Sequence, residues 1–306
     1  MMDVLHIAGL RKSFGTRTVL DGLDLSVPEH SVFGFVGQNG AGKTTTMKIV
    51  LGLIKADAGD VTVCGEPVRF GQTKTNRLIG YLPDVPEFYG YMRPREYMSL
   101  CGNIAGLEHK QTAARSEELL ALVGLDGIKH RISGFSRGMK QRLGIAQALL
   151  GTPKLLICDE PTSALDPLGR KEILDILQAV KDKTTVLFST HILSDVERIC
   201  DHVAVLHGGQ VVLGGTMDEV RAQHRRDSLL VAFDTDADLH RLMTQPEMSP
   251  YLTGAEETGP VATLKVANLA TAEGALLAAC AREALLPTKL ERLDPTLESL
   301  FMEAVQ

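Results

Sequence analysis

The stretch GQNGAGKTT, residues 37 to 45, fits the pattern G-x-x-x-x-G-K-[ST]. Its chemistry is the capture of a polyphosphate. Gly37, Gly40 and Gly42 permit backbone angles closed to residues with a Cβ. Successive N–H groups can then converge on phosphate oxygens, and a helix opening at Lys43 adds positive potential at the same place. Lys43 reaches the β- and γ-phosphates, and the Thr44 hydroxyl takes magnesium. Asn39, Ala41 and Thr45 complete the cradle. With glycine near 7% of residues, a chance match in a chain of this length is on the order of one in a hundred.

A second group is LLICDE, residues 155 to 160. Four apolar residues read as a buried strand, and two acids follow at its end. Ligands of parallel sheets gather at the carboxyl ends of the strands. There Asp159 holds magnesium, directly or through water, as the aspartate of this strand does in P-loop proteins. Glu160 is placed to orient and polarise an attacking water. Read alone, such a DE pair is more often simply solvated; the cradle reverses that preference.

The elements that must position these groups are legible as short apolar runs. Residues 31–37 read as a buried strand entering the glycine turn, with a helix from near Lys43 to about Leu51. Further strands are expected at 78–82, 155–158, 185–189 and 203–206, with helices between them. Short buried strands alternating with helices predict an α/β fold, a mostly parallel sheet covered on both faces. Residues 93 to 151 read as several helices and interrupt that alternation as a subdomain. After HRRD (224–227) the predicted order becomes βαββαβ plus a closing helix, a small α+β domain of ferredoxin-like type.

Composition supports two domains. The 306 residues are 44% apolar, enough for a substantial core. The net charge of −6 is uneven. Residues 1–224 hold 25 basic and 25 acidic side chains, whereas 225–306 hold 7 and 13, so a boundary is expected near 225. No basic stripe speaks for nucleic acid. No apolar run approaches the roughly 18 residues that cross a bilayer, and the N-terminus lacks signal-peptide regions. Cys64, Cys101, Cys158, Cys200 and Cys280 are scattered without a CxxC pair, which suits reduced thiols and argues against a disulfide frame or zinc site. In the run CDH, Cys200 is expected to end a helix and His202 to start a strand.

Three further motifs narrow the class. FSRGMKQR (135–142) precedes LLICDEPTSALD (155–166), and STH (189–191) follows. This set, in this order and spacing, resembles the ATP-binding cassette (ABC) ATPases over about residues 4 to 222, most closely the drug and antibiotic exporters whose ATPase and membrane permease are separate chains. The resemblance implies a P-loop NTPase fold of ABC type: a mostly parallel sheet core, an antiparallel β subdomain and a helical subdomain at about 85–151, within a nucleotide-binding domain 1–224. Residues 225–306 then form the accessory domain. It implies ATP and Mg2+ as ligands and a catalytic set of Lys43, Glu160 and His191, the last as the switch histidine that contacts the γ-phosphate.

It also implies a head-to-tail dimer with two ATP molecules between the chains. FSRGM stands at the signature, usually LSGGQ. Ser136 and Gly138 are kept and would face the nucleotide of the opposite protomer, while Arg137 and Met139 depart from the pattern. Read without a partner, the same residues are a capped helix start. Asp166 either communicates across the dimer or caps the helix starting near Pro167. Phe14 either stacks on adenine or is an ordinary core phenylalanine.

The stretch GYLPDVPEFYGYM (80–92) falls where the family has a loop opening with glutamine. Here the residue is Asp84, which keeps a hard oxygen for magnesium but is shorter and anionic. We expect it to do the glutamine's work. Phe88, Tyr89 and Tyr91 read either as a contact for the permease, within about residues 84–98, or as packing beneath the helical subdomain. The implied protein is cytoplasmic, held at the inner face of the cell membrane through the permease. The alternative is a soluble ABC ATPase acting on ribosomes, nucleic acid or an assembly scaffold.

Overall fold

The structure is a computed structural model and describes residues 3–223, 228–246, 248–293 and 297–305. The chain divides into two compact units, one reaching Met217 and the other running Asp218–Glu303. The boundary expected at 224/225 lies outside the described residues.

The first unit opens with β1 (Asp3–Phe14) and β2 (Arg17–Pro28), an antiparallel pair, then β3 (Val32–Gly37) and α1 (Lys43–Val50). Next come β4 (Ala58–Val63), β5 (Glu66–Pro67) and β6 (Ile79–Leu82). The helical insertion is α2 (Pro94–Ile104), α3 (His109–Leu122) and α4 (Arg137–Leu149). The alternating pattern returns with β7 (Leu155–Asp159), α5 (Pro167–Val180), β8 (Thr185–Thr190), α6 (Leu193–Ile199), β9 (His202–His207) and β10 (Gln210–Thr216). α7 (Met217–Gln223) starts at the last residue of this stretch and otherwise belongs to the second unit.

The principal sheet has the order β10-β9-β3-β8-β7-β6. Its central strands pair in parallel, and β10 is antiparallel to β9. Every residue of β3, β7 and β8 is buried, as continuous apolar runs in a doubly covered sheet should be. A smaller antiparallel sheet, β2-β1-β4-β5, shares one core with it. Leu5, Ile7, Leu10, Leu20 and Leu23 from the small sheet, Met47, Ile49 and Val50 from α1, and Phe33, Phe35 and Ile157 from the large sheet form that cluster. The helix after the glycine turn is thereby fixed between two layers.

α4 is set by small residues. A Cβ at Gly144 would lie 2.5 Å from Leu82 Cδ1, and a Cβ at Gly80 would lie 2.3 Å from the Ala148 carbonyl oxygen. Only glycine at these positions lets helix and strand approach so closely. Ser136 caps the helix, its hydroxyl accepting from the Met139 amide at 3.2 Å, a bond worth about 1 kcal/mol in comparable caps.

The second unit comprises β11 (Ser228–Ala232), α8 (Asp236–Met243), β12 (Leu252–Thr258), β13 (Val261–Val266), α9 (Leu269–Arg282), β14 (Lys289–Leu293) and α10 (Leu297–Val305). Its sheet order is β12-β13-β11-β14, antiparallel throughout. Leu229, Val231 and Leu264 of the sheet pack with Leu239 of α8 and Leu276 of α9. Thr235 and Asn268 cap the two helices. Among the described residues, no helix is long and apolar enough to cross a membrane.

Candidate active site

Four parallel strands deliver the site. The glycine turn leaves β3 after Gly37, Asp159 ends β7, His191 follows the end of β8, and Asp84 lies two residues beyond β6. The register aligns Val36 with Thr190, Asp159 with Ser189 and Leu82 with Cys158, so the four ends lie side by side. They border a cleft of about 570 Å³ lined by Asn39, Gly40, Gly42, Lys43, Thr44, Thr45, Asp84, Asp159 and Glu160, with Phe14 contributing from the end of β1.

The glycines are required where they stand. Gly42 has φ 116°, and a Cβ there would lie 2.7 Å from Leu20 Cδ2. A Cβ at Gly37 would meet the Leu206 carbonyl oxygen at 2.8 Å. The Ala41 amide donates to the Gln38 carbonyl at 3.1 Å, closing the turn.

Buried charge here meets opposite charge or hydrogen-bond donors and acceptors, although Glu160 Oε1 has no hydrogen bond among the described residues. Lys43, 5% exposed, donates to the Gly37 carbonyl at 2.6 Å and to that of Gln38 at 3.3 Å. Its Nζ also lies 3.2 Å from Glu160 Oε1, an ion-pair contact without hydrogen-bond angles. Buried Asp159 accepts from the Thr44 hydroxyl at 2.8 Å and from the Ser189 hydroxyl at 2.6 Å. The Glu160 amide donates to Ser189 Oγ at 3.0 Å, which helps hold Glu160 at φ 48°, a left-handed conformation uncommon outside glycine. Glu160 Oε2 lies 2.8 Å from His191 Nδ1. A buried lysine beside a turn where side chains would clash suits a polyphosphate, and Thr44 with Asp159 offers the hard oxygens magnesium prefers.

Asp84 is gripped from α4. Its carboxylate lies 3.3 Å from the Arg137 guanidinium, and its carbonyl accepts from Gln141 Nε2 at 2.6 Å. Burial pushes the Asp84 carboxyl above the usual range; Arg137 opposes that rise, and Asp159 and Glu160 reinforce it.

Phe14 is 50% exposed at the cleft, with Lys12 Nζ 5.2 Å from its ring, so it is not a core phenylalanine. Asp166 is the N-cap of α5, accepting from the Gly169 amide at 3.2 Å. Ser136, Gly138 and Asp166 do not line this cleft. Gly37, Ala41 and His191 do not line it either and connect to it only through the bonds given above. Phe88, half-buried, packs edge-on against Tyr97 of α2 at 5.1 Å. Tyr89 and Tyr91 remain 54% and 67% exposed.

Three participants escaped the sequence reading. Ser189 bridges Asp159 to the Glu160 backbone; its signal was the serine just before the TH of STH. Arg17 lines the cleft, and a Cβ at Gly40 would lie 3.6 Å from its guanidinium. Gln141 stands inside FSRGMKQR, but nothing in that run singled it out from the other polar residues of the helix. Among the described residues no group of His, Cys, Asp and Glu is arranged as a metal cluster.

The fold and this cleft define a P-loop NTPase of cassette type. The profile of the ABC transporter family matches residues 20–163. The chain is similar over 99% of both lengths, at 36% identity, to the ABC transporter ATP-binding protein YxlF of Bacillus subtilis (strain 168). It is 39% identical to the bacitracin transport ATP-binding protein BcrA of Bacillus licheniformis over 74% of each chain. A solved ATP-binding subunit of an ABC transporter aligns with TM-score 0.65 and 33% identity, covering 72% of this chain and 92% of that one. The chain belongs to the ABC transporter ATP-binding protein family, and its activity is the binding and hydrolysis of ATP.

Proposed function

We propose that this chain energises a separate membrane permease of the exporter class, by ATP-driven closure of two copies head to tail around two ATP molecules. The observation that carries the reading is the meeting of Lys43, Asp159 and Glu160 on one cleft at adjacent strand ends, with His191 behind them on Glu160. Likeness to a bacitracin transport subunit supports the exporter class.

In this mechanism the glycine turn binds the phosphates through its amides, and Lys43 exchanges the Gly37 and Gln38 carbonyls for phosphate oxygens. Arg17 adds a second cation, and Phe14 offers a face to the base. Thr44 and Asp159, with Asp84 beside them, would hold magnesium, which when bound would neutralise phosphate charge and favour in-line attack. Glu160 accepts the proton of the attacking water, and His191 orients Glu160 and the water. Both are placed before substrate arrives, so little reorganisation is required at the moment of reaction. Ser136 and Gly138, at the capped start of α4, complete the partner's site, and Asp166 faces the same junction. Tyr89 and Tyr91 receive the permease, which holds the chain at the inner face of the membrane. The second unit, an accessory domain of ferredoxin-like order, acts on the dimer.

The test is stimulation of ATPase activity. Membranes containing the permease should raise the rate of the purified chain, whereas ribosomes and nucleic acid should not. Stimulation by ribosomes or nucleic acid alone would favour the soluble alternative.

A further inference from the structure

Two residues that depart from the family pattern touch each other. Asp84 stands where a glutamine is usual, Arg137 where a glycine is usual, and their side chains form an ion pair at 3.3 Å. The pair joins segments 53 residues apart.

The contact is built by one face of α4. Positions 137, 141, 144 and 148 follow helical spacing and lie in one row. The row meets Asp84 through Arg137 and Gln141, Leu82 and Pro86 at Gly144, and Gly80 at Ala148. Gln141 is fully buried, and its side-chain Oε1 has no partner among the described residues, so its donor is committed to Asp84 at the cost of its acceptor. A buried amide in this state holds the Asp84 backbone firmly.

The ion pair differs in kind. Both side chains are nearly half exposed, and exposed pairs are worth roughly 0–1 kcal/mol, so it can be exchanged. Asp84 also lines two cavities: the nucleotide cleft and a neighbouring groove of about 430 Å³ beside Phe88, Ser133 and Lys140. Arg137 lines only the second. In the cleft, Asp84 adds a third carboxylate to Asp159 and Glu160, where a polyanion must bind.

We infer that Arg137 is a positioning residue that neutralises Asp84 and aims it at the nucleotide, so that an acid is tolerated beside the phosphates. The two departures are then one compensated change. Loss of Arg137 harms ATP binding only while Asp84 carries charge. Because Arg137 begins the helix that Ser136 caps, the same pair ties the acid in one chain's cleft to its own signature helix. The inference rests on the ATPase reading above.

The experiment is a double-mutant cycle on ATP affinity, with magnesium at low ionic strength, using the full chain as Arg137→Gln, Asp84→Asn and both together. Arg137→Gln should weaken ATP binding about fivefold in the parent and less than about twofold in the Asp84→Asn background. Arg137→Lys should recover most of the loss, which a purely structural role for the guanidinium would not allow. Equal losses in both backgrounds, or no recovery with lysine, overturn the inference alone. A parent chain that binds no ATP overturns the ATPase reading and the inference with it. Thermal melts of each variant separate weakened binding from misfolding, and a fivefold loss that tracks melting temperature also counts against the pair.

Discussion

Glu160 Oε2 and His191 Nδ1 lie 2.8 Å apart, brought together from the ends of neighbouring strands β7 and β8. The other Glu160 oxygen faces Lys43 at 3.2 Å. The carboxylate is thus held from both sides, with its backbone pinned by Ser189. His191→Ala should lower kcat by roughly a hundredfold, the scale of a lost acid–base partner, with a smaller change in ATP affinity. Steady-state ATPase and equilibrium binding separate the two, and an unchanged kcat would remove His191 from the mechanism.

The cradle predicts a different failure. Gly42→Ala must place a Cβ 2.7 Å from Leu20 Cδ2 at φ 116°. The strain, about 1–3 kcal/mol for such a backbone, falls on the turn and on the core beneath α1. Calorimetry should find ATP binding lost together with a melting temperature lowered by several degrees. A variant that melts like the parent and binds ATP equally would contradict the steric argument.

The exposed pair Tyr89 and Tyr91, with ring centroids 6.0 Å apart, should matter to coupling and not to folding. Tyr89→Ala with Tyr91→Ala is expected to change stability by no more than about 0.5 kcal/mol, the usual range for surface positions. ATP binding should survive while stimulation by permease-containing membranes falls. Full stimulation of the double variant would leave these rings without a coupling role. Phe88 is not part of this test, because it is packed on Tyr97.

Much of the arrangement was readable because it depends on spacing. Buried runs such as VFGFVG and LLICD announce strands covered on both faces, and motif residues at their carboxyl ends must converge once the strands run parallel. The capping roles of Ser136 and Asp166 likewise follow from residue type at a helix start. What could not be read depends on contacts between distant segments. Ser189 is one polar residue in an apolar strand until β8 lies beside β7. Arg137 looked only like an awkward replacement for glycine; its partner, 53 residues earlier, emerges when α4 packs along β6. Phe88 could not be told from Tyr89 by sequence, since which ring turns inward depends on where α2 places Tyr97.

The central claim is that Glu160 activates water in a cleft closed by a second copy of this chain, and Glu160→Gln tests it most directly. The substitution keeps the side chain's size and removes its charge. The account predicts that this variant binds ATP with magnesium, hydrolyses it at least about a hundredfold more slowly, and accumulates as a dimer on a sizing column, whereas the parent with ADP stays monomeric. A Glu160→Gln protein that hydrolyses ATP at the parent's rate, or that binds ATP yet remains monomeric, would contradict it.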